Sequence, residues 1–366
     1  MNMSELVWIS FIVTYLCVGA LVILVPLLGT QSNLFGVVVP AANRLEPGIR
    51  SLKRSYIIQS IFAIIGGIAA GVLAGWLTGG ITQVIVPTAL TVELVGLLLV
   101  NARHYRAAAR MKINNGWEQP VETRRVASLK FRSQRLVLAN GWYLVHLGIV
   151  IVSVVFAALQ WDRIPETLIT HYNGSFEPDR YASKSFGSVF MLNIIQLLMI
   201  VLFIGTNFIT RIAKQQLDPS QAAESMDKEQ KFRFTSSVFL YGLSLLIILL
   251  FSYIQGSIIY EWSMDILKVV MIALPVVILG SVIVLILYLH RKGITHNTWG
   301  ASNEEKHWKG GGAFYYNADD PALFVPKRFG IGWTVNMARP SSWLVVGAII
   351  IIPISITIIA SVVDKK

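Results

Sequence analysis

Apolar blocks of about 20 residues, separated by charged stretches, recur along the whole chain. A helix of that length spans the roughly 30 Å hydrocarbon layer, and lipid offers no hydrogen-bond partners to an open backbone. A β-barrel would instead show alternating segments of about ten residues. The pattern therefore predicts an all-α, polytopic transmembrane helix bundle. The eight predicted spans are 6–28, 55–77, 81–100, 141–160, 187–209, 234–255, 268–290 and 342–363.

The overall composition excludes two other classes of protein. Only 14% of the residues are charged and 54% are hydrophobic, whereas a soluble domain carries about 25% charged residues. A soluble fold is therefore excluded. The single cysteine, Cys17, lies inside an apolar block, which excludes a disulfide scaffold.

Lysine and arginine fall almost entirely on one side of the predicted spans. Of the 31 basic residues, 25 lie in segments 29–54, 101–140, 210–233 and 291–341. The positive-inside rule makes that side cytoplasmic and places both termini outside. The net charge of +11 is explained by this orientation, so no nucleic-acid partner is predicted. Because residues 1–5 lack a basic region, we expect the first span to be retained rather than cleaved.

The spans divide the chain into four regions. Region 1–140 has three spans and basic cytoplasmic segments, and region 141–210 has two spans around the outward loop 161–186. Region 211–290 is a further two-span unit. Region 291–366 combines a long cytoplasmic segment with the last span.

A few polar side chains lie inside the predicted spans. Glu93 and His146 lie at similar depths in their spans and would pair if their helices are neighbours. Such a pair would be either a proton-coupled or ligand-binding site or a structural hydrogen bond. Asn193 and Gln196 share a helix face, which predicts that they form hydrogen bonds to a neighbouring helix. Ligand binding is the alternative role for these two side chains.

A glycine recurs at every fourth position of the second span. Glycines at this spacing share one helix face and permit close helix packing, with a substrate path as the alternative. The four residues are Gly67, Gly71, Gly75 and Gly79.

The outward loop 161–186 is polar and rich in turn-forming residues. One histidine among scattered carboxylates is a weak zinc signature, and no calcium-loop spacing is present, so no metal or other cofactor is predicted. The loop is either a folded cap or a ligand-binding element. The candidate ligand-binding residues are His171, Asn173, Glu177, Asp179 and Lys184.

The same loop resembles a known family. Pro165, Thr170 to Asn173, Glu177 to Asp179 and Ser183-Lys184 follow in the order of a motif from a bacterial membrane domain of unknown function. That domain also occurs in SdpI-type immunity proteins. The resemblance implies a multi-pass protein of the bacterial plasma membrane with an outward loop.

The cytoplasmic segment 308–340 interleaves aromatic and basic residues. It resembles a second uncharacterised domain, found at the C-terminus of larger members of the same group. Asp319-Asp320-Pro321 predicts a turn or a helix start. Gly310 to Gly312 lacks the spacing of a nucleotide-binding loop. The motif residues are Tyr316, Asn317, Asp319, Asp320, Lys327, Arg328 and Trp333.

Contact with the membrane is the favoured interpretation of the cytoplasmic segments. Aromatic side chains of 308–340 would pack at the membrane face, with basic groups at anionic lipid headgroups. Segment 101–140, with nine basic residues, would either anchor the topology or lie on anionic lipid as an amphipathic helix.

No nucleophile elbow, HExxH or Walker motif is present. We therefore expect a non-enzymatic membrane protein. The resemblance to SdpI-type proteins implies resistance to, or sensing of, a membrane-active peptide or envelope stress, with a peptide ligand outside. Two alternatives remain open. One is a transporter or flippase that uses Glu93 and His146, and the other is a membrane-embedded enzyme with His171–Asp179 or His146–Glu93.

Overall fold

The computed structural model describes residues 3–28, 33–40, 43–117, 129–172, 178–215, 217, 221–260, 262, 264–294, 305–328 and 331–363. Within them, seven helices are long and apolar enough to cross a membrane. The chain is therefore a multi-pass membrane protein built mainly from α-helices. Its contacts define two compact units. Unit 1 comprises 1–134, 213–232 and 275–342, and unit 2 comprises 135–212, 233–274 and 343–366.

The helices follow the predicted spans closely. In chain order they are α1 Met3–Leu28, α2 Pro47–Thr78, α3 Thr82–Asn114, α4 Leu129–Ser133, α5 Leu144–Leu159, α6 Phe186–Ile212, α7 Ala222–Tyr260, α8 Met264–Arg291 and α9 Pro340–Val363. Seven predicted spans coincide with long apolar helices. The eighth predicted span, 342–363, lies within the 24-residue helix α9.

Three helices extend beyond the apolar spans. Helix α2 begins at Pro47, α3 continues to Asn114, and α7 begins at Ala222. Hydropathy marks only the stretch inside the hydrocarbon, whereas alanine and arginine keep α3 helical past residue 100. The first part of the basic segment 101–140 is thus a continuation of α3 rather than a separate helix on the membrane surface.

Within the part of the chain that the structure describes, four small antiparallel hairpins modify the all-α prediction. Their strands are β1 Asn33–Leu34, β2 Val37–Val38, β3 Thr167–Tyr172, β4 Pro178–Ser183, β5 Trp308–Lys309, β6 Phe314–Tyr315, β7 Phe324–Pro326 and β8 Trp333–Val335. Except for β3 and β4, which have six residues each, these strands have only two or three residues and are too short to show an alternating pattern.

Unit 1 is organised around α1, α2 and α3. Pro26 in α1 has no N–H to donate to the carbonyl of Val22, four residues earlier. The Tyr56 hydroxyl of α2 donates to that carbonyl at 2.9 Å instead. The proline is therefore accommodated by a neighbouring helix, as expected for helix breakers inside a membrane.

The β1–β2 hairpin extends this core of unit 1. Its turn residues, Phe35 and Gly36, both have positive φ, the geometry of a tight hairpin turn. The buried Phe35 ring lies 4.7 Å from the Tyr56 ring and 5.4 Å from the His104 ring. These ring contacts stabilise a backbone conformation that is otherwise unfavourable for phenylalanine.

Unit 2 packs α5, α6 and the second part of α7. An apolar cluster joins them to the β3–β4 hairpin and contains Ala157, Ile164, Leu168, Val189 and Ile259. At the end of α6, the fully buried Arg233 donates to the carbonyls of Thr210 and Arg211. Arg233 thus binds carbonyl groups that would otherwise lack partners at the helix C-terminus.

Candidate functional site

The polar residues of segment 308–340 hold that segment together. Asn336 is fully buried, and its side chain makes four hydrogen bonds to the backbone. Its Oδ1 accepts from the N–H groups of Asn317 and Ala338, and its Nδ2 donates to the carbonyls of Asn317 and Asp320. Arg339 donates to the Asp320 carbonyl as well. Asn336 therefore fixes the fold of this segment.

Asp320 is the charged centre of the same cluster. Its carboxylate accepts from Lys214 Nζ at 2.6 Å, from the Tyr315 hydroxyl at 2.9 Å and from the Ala322 N–H at 3.0 Å. Burial pushes the pKa of Asp320 upward, but these hydrogen bonds and the charge of Lys214 outweigh it. The pKa of Asp320 is therefore lower than its usual value. The Asp319–Asp320 sequence forms a turn and not a helix start.

The other motif residues divide into buried and exposed groups. Arg328 is buried, donates to the Gly36 carbonyl at 3.0 Å and lies 5.8 Å from the centre of the Trp308 ring. Trp333 packs against Phe232. The exposed residues are Tyr316, Asp319 and Lys327, whereas Asn317 is buried.

Glu93 lies in a recess between α1, α2 and α3. It is fully buried, and neither carboxylate oxygen has a hydrogen-bond partner among the described residues. A Cβ on Gly19 would lie 2.7 Å from Glu93 Oε1, and a Cβ on Gly67 would lie 3.0 Å from Glu93 Cβ. Glycines in α1 and α2 therefore make the space that this carboxyl group occupies.

The predicted glycine face is used for packing along most of its length. A Cβ on Gly67 or Gly71 would approach Ala89 to 3.0 Å or less, and one on Gly75 would approach Ile85 to 3.1 Å. These three glycines therefore face α3. Gly79 differs from the prediction, because it ends α2 in the left-handed conformation, and a Cβ added there would meet no described atom within 4 Å.

His146 belongs to unit 2, where a serine and two tyrosines contact its side chain. Its Nε2 lies 2.8 Å from Ser244 Oγ, and its ring contacts those of Tyr143 and Tyr241. Glu93 belongs to unit 1 and His146 to unit 2, so the pairing of these two side chains stays a prediction.

Asn193 and Gln196 belong to a polar network inside unit 2. Asn193 Nδ2 donates to Gln255 Oε1 at 2.9 Å, and Gln255 Nε2 donates to Asn193 Oδ1 at 2.6 Å. Gln196 Nε2 donates to the Ile248 carbonyl and to Ser252 Oγ, both at 2.9 Å. Amides paired in this way connect α6 to α7, which agrees with the packing interpretation.

The outward loop forms the β3–β4 hairpin. His171 Nδ1 lies 2.5 Å from Asp179 Oδ1, and both side chains are about half exposed. Lys184 Nζ binds Glu166 at 3.1 Å and lies 5.5 Å from the centre of the Trp161 ring. Asn173 and Glu177 lie outside the described residues. Among the residues that are described, no three of the His, Cys, Asp and Glu side chains are placed to hold a metal ion.

Sequence reasoning missed several partners of these polar groups. Gly19, Lys214, Ser244 and Gln255 each contact a predicted residue from a distant part of the chain. A polar residue inside an apolar span was a visible signal for Gln255. The sequence carried no comparable signal for Gly19 or Lys214.

Two family models match parts of the chain. Residues 148–197 match a domain of unknown function (DUF1648), and residues 318–343 match a family of unknown function (DUF5808). The first match supports the resemblance found in the outward loop, and the second coincides with the Asn336–Asp320 cluster. No curated protein and no solved structure matches the chain.

Proposed function

We propose that this chain is a non-enzymatic protein of the bacterial plasma membrane that confers resistance to, or senses, a membrane-active peptide or envelope stress. The β3–β4 hairpin is its outward recognition element. The basic segments lie in the cytoplasm, as the lysine and arginine distribution favours. The resemblance of the hairpin residues to SdpI-type immunity proteins supports this function.

The observation that carries the proposal is the exposed, two-stranded form of the hairpin. Among the described residues, β3 and β4 pair only with each other, so each leaves one edge of backbone groups without a neighbouring strand. Such an edge can accept an extended peptide as an additional strand. Leu168 is buried in the apolar cluster that joins the hairpin to α5 and α6.

The hairpin region exposes two carboxylates, Glu166 paired with Lys184 and Asp179 paired with His171, beside the exposed Arg180. A cationic ligand would bind these carboxylates by replacing their present partners. Glu166 is 86% exposed and Asp179 is 40% exposed. Many membrane-active peptides present a face rich in lysine and arginine. Exposed carboxylates beside a free strand edge would therefore favour such peptides over neutral ones.

Peptide tolerance of cells with altered amounts of the protein tests the proposal. Deletion should lower the concentration of a cationic membrane-active peptide that stops growth, and overexpression should raise it. Asp179→Asn should lose most of this protection. Asp227→Asn is the matched control, because it also removes an exposed carboxylate from a surface ion pair, with Lys231 at 2.7 Å. Tolerance that is unchanged by both deletion and overexpression would contradict the proposal.

A transport function is the second candidate, and the Glu93 recess is the observation in its favour. A carboxyl group without partners is costly inside a membrane and often marks an ion or substrate path. Purified protein in proteoliposomes would be assayed for uptake or efflux of candidate solutes and lipids. Transport by the wild type that is abolished by Glu93→Gln, but retained by Asn193→Leu, would favour this candidate over peptide resistance.

A further inference from the structure

A cavity of about 810 Å³ lies within unit 1. It is bounded by the last turns of α1, by α3 around residues 98–106, and by parts of segment 308–334. Its volume is within the range of roughly 300–1,000 Å³ that is typical of ligand pockets. Neither Glu93 nor the glycines that surround it line this cavity.

One part of the cavity wall is cationic. Arg106, Lys327 and Arg328 line it, and no aspartate or glutamate is among the lining residues that are described. Arg106 and Lys327 are exposed, and neither forms an ion pair within the described part of the chain. Arg328 is held in place by the Gly36 carbonyl and by the Trp308 ring. Three cations on a wall that shows no described carboxylate favour a phosphate-bearing ligand.

The other part of the wall is apolar and belongs to membrane-spanning helices. Leu21, Val22 and Val25 of α1 line it together with Leu98 of α3. Both helices run toward the basic ends of their spans, so this apolar wall lies on the hydrocarbon side of the three cations. A water-soluble phosphate compound would leave these side chains uncovered, whereas an acyl chain would cover them.

We infer that this cavity binds one anionic phospholipid, with its phosphate at Arg106, Lys327 and Arg328 and an acyl chain against α1 and α3. The site is more specific than general attraction to an anionic membrane surface, because it has a defined volume and a fixed arginine. It is independent of peptide recognition at the β3–β4 hairpin.

Lipid retention by the purified protein tests this site. Protein in detergent would be mixed with phosphatidylglycerol or phosphatidylcholine, and bound lipid would be quantified by native mass spectrometry. The wild type should retain one phosphatidylglycerol in preference to phosphatidylcholine. Arg106→Gln combined with Lys327→Gln should weaken retention by roughly 25-fold, since each cation near an anionic lipid contributes about a factor of five.

The matched control is Arg103→Gln combined with Arg110→Gln. These arginines are exposed on the same helix but do not line the cavity. Retention should stay within about twofold of the wild type, because the local cavity charge is unchanged. Equal losses in both double variants would show general surface attraction and would overturn the site.

Two further measurements separate the remaining outcomes. Ala102→Trp should narrow the cavity and lower retention by at least about tenfold, and normal retention in this variant would overturn the acyl-chain assignment. Inorganic phosphate at millimolar concentration should not displace the lipid, and displacement would identify a soluble phosphate site instead. Helical content measured by circular dichroism excludes unfolding as the cause of any loss.

Discussion

The two segments that match family models use their polar residues in opposite ways. In 318–343, Asn317, Asp320 and Asn336 are buried and bind one another or the backbone. In the hairpin within 148–197, the side chains of His171 and Asp179 are about half exposed and contact each other. The first set therefore stabilises a fold, whereas the second is available to a ligand.

This difference separates structural motifs from candidate binding motifs. A buried amide with every hydrogen bond satisfied has no free group to offer a partner. An exposed ion pair contributes little to stability, so its residues are free to be used for recognition. Substitutions in the two segments should therefore differ in their effect on the free energy of unfolding.

The largest effect on stability is expected for Asn336→Ala. The substitution removes the side-chain partner of the Asn317 and Ala338 N–H groups and of the Asn317 carbonyl, whereas the Asp320 carbonyl keeps Arg339. It should lower the free energy of unfolding by about 3 kcal/mol. Denaturant unfolding of the purified protein measures this loss. Tyr316→Ala, at an exposed position of the same segment, is the control and should change stability by less than about 0.5 kcal/mol. Similar losses in the two variants would refute the structural role of Asn336.

The Asp320 cluster should make stability depend on acidic pH. Because the folded-state pKa of Asp320 is lower than its unfolded value of about 3.9, its contribution is present above that value and is lost as the pH falls through the folded-state pKa. Unfolding would be followed from pH 6 down to pH 2. The wild type should lose more stability than Asp320→Asn over this range, and parallel curves would contradict the interpretation.

A smaller loss is expected for the amide network of unit 2. Asn193→Leu removes the reciprocal pair with Gln255 and should cost about 1–2 kcal/mol, since each hydrogen bond between membrane helices contributes about 0.6 kcal/mol on average. Ile194→Leu alters the neighbouring, half-exposed side chain and provides the control. If Asn193→Leu is as stable as this control, the network does not hold α6 to α7.

The smallest effect on stability is expected at the hairpin. His171→Ala removes a half-exposed pair and should lower the free energy of unfolding by less than about 0.5 kcal/mol. The same variant should still reduce peptide tolerance in cells, because the ligand contact and not the fold is affected. A large loss of stability would show that His171 stabilises the fold, as the buried polar residues of 318–343 do.

The helices could be predicted from the sequence, because hydrocarbon thickness alone sets the length of an apolar span. The spans ending near residues 28, 209 and 290 differ from the observed ends of α1, α6 and α8 by at most three residues. The length of α3 was underestimated, because hydropathy indicates only the part of a helix that lies in the hydrocarbon and not its continuation into water.

The sites were harder to predict, because their partners are far apart in the chain. Lys214 and Asp320 are separated by 106 residues, and Asn193 and Gln255 by 62. The Asp319–Asp320 turn was predicted, since its cause is local. The recess of Glu93 depends on glycines in two other helices, which no local pattern indicates.

The sidedness of the hairpin is the claim on which the proposed function depends. It can be measured with a membrane-impermeant maleimide on intact cells, in a Cys17→Ser background that removes the only cysteine. Arg180→Cys lies on the hairpin and Tyr316→Cys lies in the basic segment, both at exposed positions. If the hairpin lies outside and the basic segment lies in the cytoplasm, Arg180→Cys should be labelled in intact cells and Tyr316→Cys only after lysis. Labelling of Tyr316→Cys, with Arg180→Cys protected, would contradict this orientation.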